Sequence, residues 1–522
     1  MPEASVAHRD DLEDGQMKQV DVEGTAVLLV RLDGQYHALG AHCTHYGAPL
    51  ADGVLSGDRV VCPWHHACFN VRTGDLLEPP AFDALPRFDV RVEGDRVVVS
   101  VPEDAPDRRV ASMARREEGD DRTLVVLGGG AAGLFAAEAA REAGYTGRLV
   151  MITREPYTPY DRPNCSKDYL QGEAPEEWMV LRDDAFYAER DIEVLTERTV
   201  AEVDVPGKVI SFDDGDTLRY DTLILCTGGT PRRLDVPGAG LDGVHTLRSF
   251  DDSKTLLEKG KEAQRVVVVG SGFIGMEAAF SLRKLDCEVT VVAPGEVPFA
   301  GPFGERVGRM VQSIHEENGV RFRLGRKVRR IEGDGRVERV TLDDGTTLDA
   351  DLVVAGVGVR PATDVLRGIR LGEDGSLDVD AYLRAADGLY AAGDVARFPD
   401  WRTGDAVRIE HWRLAGQHGR LAGLNAAGRP TAFRSVPFFW TAHFGTNLRY
   451  VGHAGDYDEV LFDGDPDDRD FIAYYVRGGA VRAALGVGRD QQMAALEELM
   501  RREELPSLES LRAGSVDLVA QL

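Results

Sequence analysis

The sequence predicts three kinds of fold in one chain: a small all-β domain, a long α/β region built on two similar halves, and an α+β domain at the C-terminus. Three observations predict it. Two loops, Cys43-Thr44-His45 and Cys62-Pro63-Trp64-His65, lie sixteen residues apart among short apolar runs bounded by Gly and Asp. A strand, a glycine-rich loop and a helix follow one another twice, around Gly128–Gly133 and Gly270–Gly275. After Pro430 the texture changes again, to strands and an acidic helix.

The elements follow in order. Ala26–Leu32, Arg59–Cys62, Phe88–Val92 and Arg96–Val101 read as strands of a β domain over residues 1–101. Residues 102–122 are polar, hold Pro102 and Pro106, and read as a linker that permits a docked or a swinging domain. Residues 123–247 open with strand Leu124–Leu127, loop Gly128-Gly129-Gly130-Ala131-Ala132-Gly133 and helix Leu134–Ala143. Residues 248–375 repeat the unit as strand Arg265–Val269, loop Gly270-Ser271-Gly272-Phe273-Ile274-Gly275 and helix Met276–Leu285. Residues 376–430 return to the first α/β domain. Residues 431–522 form the last domain, with strands Asp470–Val476 and Val481–Gly486 and a helix over Gln491–Glu504.

Composition narrows the function. At 522 residues, 43% hydrophobic and 29% charged, the chain has ample core for several domains. A formal charge of −27 argues against nucleic acid and anionic membranes, which need clustered Lys and Arg. No run of apolar residues is long enough to span a bilayer, and Met1–Gln16 lacks the features of a signal peptide. With no Cys-x-x-Cys pair, Cys68, Cys165, Cys226 and Cys287 are expected to be reduced thiols in a cytoplasmic protein, monomer or homodimer.

The Cys/His loops carry the most specific chemistry. Each offers one thiolate and one imidazole, the ligand set of a Rieske 2Fe–2S cluster, in which two cysteines hold one iron and two histidines the other. Cys43, His45, Cys62 and His65 are therefore the expected metal ligands; zinc sites pair like ligands at other spacings. Each glycine loop lets backbone N–H groups and a helix N-terminus meet a pyrophosphate. After the first unit, strand Arg148–Thr153 leads to Glu155, placed for an adenosine ribose. In the second, Glu288–Val292 ends at Ala293, with Glu296 as a substitute acid and no Lys or Arg up to Ala300, which favours NADH over NADPH.

From Thr123 onward the chain resembles the two-dinucleotide-binding-domain flavoprotein reductases. Pro159-Tyr160-Asp161-Arg162-Pro163, ending in Ser166-Lys167, looks like that family's active-site loop, although Cys165 stands where leucine is usual. The resemblance implies that Lys167 lies beside the flavin N5, that Arg162 contacts FAD, and that Glu277 is a nicotinamide-side acid. Cys226-Thr227-Gly228-Gly229 matches the turn closing the first FAD segment, and Gly356-Val357-Gly358-Val359-Arg360-Pro361 the closing motif of the NAD domain. Tyr390-Ala391-Ala392-Gly393-Asp394-Val395 matches the second FAD segment, whose aspartate binds the ribitol. Glu410-His411-Trp412 and Phe439-Trp440-Thr441 resemble segments that set aromatics near the isoalloxazine. With its N-terminal domain, the whole chain is similar to the Rieske-bearing apoptosis-inducing-factor-like proteins.

The implied cofactors are FAD, a 2Fe–2S cluster and NADH. The expected route runs from NADH to FAD, to the Rieske cluster, and on to an acceptor such as a ferredoxin, a cytochrome or an oxygenase component. Two rivals share these motifs: a flavin/NAD redox sensor or scaffold, and a nitrite-reductase-type component. The latter ranks low, because this chain has no further cysteine cluster for a sirohaem and 4Fe–4S site. The high-potential Rieske branch carries a loop-bridging disulfide whose cysteines fall where this chain has Ala48 and Trp64. Redox titration is accordingly expected to place the cluster near the low end of the Rieske range, about −150 mV; a value well above zero contradicts this.

Overall fold

The computed structural model describes residues 2–514 and 516–522. The N-terminal domain is all β, in two sheets. One is six-stranded and antiparallel, with Glu3–His8 and Met17–Val22 at its edges. The other is formed by Val54–Ser56, Arg59–Val61, Cys68–Asn70 and Leu76–Glu78. Strand Glu3–His8 escapes a sequence reading because its alternation is short: a register shift between Ser5 and Ala7 breaks the period of two. Its partner Arg96–Ser100 supplies the ladder.

The two α/β halves are sheets of parallel strands flanked by helices, the first with Arg384–Ala386 added antiparallel at one edge. In the first, Thr123–Leu127 lies between Arg148–Ile152 and Thr222–Leu225, and Leu389–Ala391 joins from much later in the chain. In the second, Arg265–Val269 lies between Glu288–Ala293 and Leu352–Ala355. Helices Ala131–Glu142 and Phe273–Lys284 start inside the glycine loops, one turn earlier than the apolar pattern suggests. Helix Trp412–Ala426 lies directly on Ala131–Glu142. A Cβ at Gly419 or Gly423 would sit 2.1 or 2.3 Å from the carbonyl oxygens of Ala132 and Ala136. The C-terminal domain is a five-stranded antiparallel sheet, with Phe438–His443 at one edge, backed by helix Asp490–Arg502.

The β domain is docked against the rest. Val54, Val61 and Cys68 share one core with Ile472, Tyr474, Leu496 and Leu499 of the last domain. Phe135, from the first α/β helix, enters the core of the β domain. A buried charge network crosses the same junction. Arg413, fully buried, donates to Glu497 at 2.7 Å, to the His66 carbonyl at 2.8 Å and to the Pro79 carbonyl at 2.9 Å. Glu78 accepts from Arg59 at 2.5 Å and from Gln417 at 2.6 Å. Arg182 joins Asp83 of the β domain, at 2.8 Å, to Glu138, at 3.0 Å. The 102–122 segment is strapped down as well, by backbone bonds Arg109 to Ala84, Ala114 to Arg141 and Glu117 to Thr146.

Removing one member of a buried ion network strands the others without water. Arg413→Leu is therefore expected to cost about 3–5 kcal/mol in chemical unfolding and to open residues 102–122 to proteases. Acid should loosen the same junction. Burial alone would raise Glu78, yet Arg59 and Arg413 hold its carboxyl at about 2. The stability it contributes is full above its ordinary value of 4.5 and is lost as pH falls toward 2, which acid denaturation of the wild type and of Glu78→Gln will compare.

Candidate electron-transfer site

Each Cys/His loop is a closed backbone turn. Cys43 N–H donates to the Ala48 carbonyl at 2.8 Å and Gly47 N–H returns to the Cys43 carbonyl at 2.9 Å. Cys62 N–H donates to the Ala67 carbonyl at 2.9 Å, and His66 N–H to the Cys62 carbonyl at 3.2 Å. The turns face one another. The buried Cys43 and Cys62 thiols are neighbours, and the Nδ1 atoms of His45 and His65 are 3.2 Å apart. Burial holds both imidazoles neutral, with His45 pulled down to about 3. Among the described residues no three metal-binding side chains gather round one point, as a single ion requires. A dinuclear cluster asks instead for two sulfurs on one side and two neutral imidazole nitrogens on the other, and this set fits it. His66 and Cys68 point elsewhere. His66 bonds Glu497 at 2.5 Å and stacks on Phe438 at 3.8 Å, and Cys68 is core.

Strand Phe438–His443 separates the two Cys/His loops from the second α/β half. Successive side chains on a strand point to opposite faces. Phe438 and Trp440 face the β domain: the Trp440 ring lies 4.3 Å from His65 and 6.4 Å from His45, centroid to centroid. Phe439, Thr441 and His443 face the other way. Phe439 packs on Phe273 at 5.1 Å, and Thr441 donates to Glu277 at 2.8 Å. His411 touches both faces, 5.2 Å from Trp440 and 5.2 Å from Phe439. Tyr46 supplies a second link, stacking on His45 at 4.0 Å while its hydroxyl donates to Asp161 of the Pro159–Pro163 loop.

The first glycine loop is a cradle. A Cβ on Gly128 would lie 2.2 Å from the Cys226 carbonyl, and one on Gly133 1.9 Å from the Gly128 carbonyl, so both must be glycine. At Gly130 a Cβ would meet nothing within 4 Å, which leaves room above the helix N-terminus that begins at Ala131 and Ala132. The Thr227 hydroxyl is buried without a partner, and beside it Gly228 is close to Arg248 and Asp394, themselves paired at 2.7 Å. An open cradle with an orphaned hydroxyl fits a bound dinucleotide. Glu155 accepts from Tyr160 at 2.6 Å and from Arg162 at 3.0 Å, so both its oxygens already have partners. Val395 is core, and Trp412 packs at the start of its helix. Lys167 donates to Glu277 at 2.8 Å and Ser166 to the same oxygen at 2.5 Å.

The second loop repeats the pattern. A Cβ on Gly270 or Gly275 would strike the carbonyl of Gly356 or Gly270, while Gly272 and Gly358 face open space. Phe273 is held in an aromatic group with Phe299 and Phe303, and Ile274 is exposed. Sequence reasoning missed a cation here. Parallel pairing of Glu288–Ala293 with Arg321–Leu324 brings Arg326 to Ala293, its N–H on the Ala293 carbonyl at 3.1 Å. Its guanidinium is held by Asp344 at 2.7 Å, and Glu296 lies beside Gly325. Arg248, Tyr46, His443 and His315 were missed for the same reason, having no local motif.

Residues 122–419 match the family model described as pyridine nucleotide-disulphide oxidoreductase, residues 3–89 the Rieske 2Fe–2S domain, and residues 438–522 the reductase C-terminal domain. Apoptosis-inducing factor 3 of Homo sapiens is 39% identical over 510 residues, covering 95% of this chain and 84% of that protein. The ferredoxin–NAD(+) reductase component of the biphenyl dioxygenase system of Paraburkholderia xenovorans is 32% identical, over 75% of this chain and 96% of its own length. Among solved structures, the covalent putidaredoxin reductase–putidaredoxin complex matches with a TM-score of 0.72 at 28% identity, covering 77% of this chain and 99% of the matched one. Exposed ion pairs are worth up to about 1 kcal/mol. Asp344→Asn, which frees Arg326, should raise kcat/KM for NADPH relative to NADH by roughly fivefold in steady-state assays.

Proposed function

The chain belongs to the pyridine nucleotide-disulphide oxidoreductases, with a Rieske domain before and a reductase C-terminal domain after the shared core, and from that premise we propose that it carries electrons from NADH through FAD to its own Rieske cluster and on to an external redox protein. Membership makes it an oxidoreductase that uses FAD, NAD(H) and a 2Fe–2S cluster. NADH gives up electrons in pairs, FAD takes a pair and releases electrons singly, and the cluster accepts one at a time.

The contact of Trp440 with His65 on one side and His411 on the other carries the proposal. It joins the cluster ligands to the flavin-binding region by aromatic rings rather than by a stretch of solvent. Cys43, His45, Cys62 and His65 would hold the cluster. Gly128, Gly130, Ala131, Ala132, Gly133, Arg162, Thr227, Gly228 and Asp394 would seat FAD, with Glu155 toward the adenosine. Gly270, Gly272, Phe273, Ile274, Gly275 and Gly358 would seat NADH. Lys167 and Glu277 act as one ion pair that orients the nicotinamide, and neither serves as a nucleophile. One solved relative is a reductase joined covalently to putidaredoxin. In this chain the N-terminal domain would stand as a partner in cis, with a ferredoxin, a cytochrome or an oxygenase component as the onward acceptor. No helix among the described residues is long and apolar enough to cross a membrane, in keeping with the cytoplasmic setting we propose.

Anaerobic titration with NADH, followed by optical and EPR spectra, tests the route. Flavin bleaching together with a Rieske signal supports it; bleaching without cluster reduction overturns it and favours the sensor reading. Trp440→Leu should leave flavin bleaching intact while slowing the appearance of the cluster signal in stopped-flow and freeze-quench measurements. Lys167→Ala should slow the bleaching itself.

A further inference from the structure

A line of buried polar groups runs inward from Glu277. One carboxylate oxygen accepts from Ser166 and Lys167, and the other from the Thr441 hydroxyl at 2.8 Å. Thr441 Oγ1 lies 3.1 Å from His443 Nε2, and His443 Nδ1 lies 3.2 Å from His315 Nε2. Helix Phe273–Lys284, strand Phe438–His443 and helix Ala300–Glu317 each supply a part. Glu277 is 4% exposed and Thr441 1%, and both histidines are fully buried.

Hydrogen-bond chemistry fixes the direction of this line. The Thr441 hydroxyl has one proton and gives it to the carboxylate, which can only accept. His443 Nε2 must then donate to Thr441. A neutral imidazole has one donor and one acceptor, so His443 Nδ1 accepts from His315 Nε2–H. Burial keeps both rings neutral, with His443 drawn down to about 3. His315 Nδ1 is left as an acceptor without a partner. Packing alone gives no reason for imidazoles here. The surroundings are aromatic, with Phe299 and Phe444 at 5.7 and 5.0 Å, and apolar side chains would fill the space without the cost of desolvating polar rings. A local rule broken without structural gain points to function.

We propose that His443 and His315 are positioning residues for the Lys167–Glu277 pair: they lock the Thr441 hydroxyl onto Glu277 and so fix the carboxylate that holds Lys167. This rests on the role given to that pair above. Neither histidine is a catalytic residue, because each acts through Thr441.

Two measurements on the holoenzyme test it. Imidazole 15N NMR, assigned with His443→Leu, should show neutral Nε2–H tautomers for both rings; an Nδ1–H tautomer at His443 overturns the proposal. Stopped-flow flavin reduction by NADH should fall roughly tenfold in rate at saturating NADH for His443→Leu, with the concentration dependence unchanged. His443→Gln, whose amide N–H can still donate to Thr441, should recover most of the loss. In a Thr441→Val background, His443→Leu should add nothing. Equal losses in the Leu and Gln variants, or losses that multiply in the double variant, overturn the proposal. Should His443→Leu fail to fold, His315→Leu and the wild-type tautomers decide it by the same criteria. Unchanged flavin reduction in Glu277→Gln refutes the role of the ion pair itself, a failure told apart because the tautomers do not depend on NADH.

Discussion

One edge strand, Phe438–His443, has to serve two neighbours at once, and the period of two in β structure lets it do so. Its even-numbered aromatics, Phe438 and Trp440, meet His66 and His65 of the β domain. Its odd-numbered side chains, Phe439, Thr441 and His443, meet Phe273, Glu277 and His315. A one-residue slip in register would exchange the two faces and break both sets of contacts together. The pairing with Thr446–Gly452 runs without a shift from Phe438 to His443, which holds that register.

The β domain stays on its face of the strand because charge and apolar burial act together. Arg413 would be costly to bury alone, but Glu497, Glu78 and two backbone carbonyls surround it. The apolar core around Val54, Val61 and Cys68 excludes water from that network and strengthens it. Gly416, where a Cβ would press on the Phe135 ring at 2.9 Å, lets the three elements close up. The result is that the Cys/His loops are held against the Pro159–Pro163 loop and Trp440, with the 102–122 segment laid along the surface rather than free.

The same junction explains why the Cys/His loops look out on aromatic rings. His45 is stacked by Tyr46, and His65 meets Trp440 at a tilt of 47°. Tyr46 in turn reaches Asp161, next to Arg162, so the loop that carries one imidazole is tied to the loop expected to meet FAD. Two routes of contact thus leave the histidine side of the site, and both end in the flavoprotein core.

How much of this was legible depends on the range of the signal. Cys43, His45, Cys62 and His65, and the loops at Gly128–Gly133 and Gly270–Gly275, announce themselves by local spacing, because a turn and a helix start are built from neighbours in the chain. From such signals the sequence by itself determined the fold class, the order of the domains and the groups able to take a cluster and two dinucleotides. Edge strand Glu3–His8 lay below that threshold, since a register shift between Ser5 and Ala7 cuts its alternation short. Only the tertiary structure decided that the β domain docks, that Trp440 meets His65, that Arg326 stands beside Ala293, and that His315 and His443 back up Glu277. Each of those contacts joins separate secondary-structure elements, and which surfaces meet is set by packing and burial rather than by any local pattern of residues.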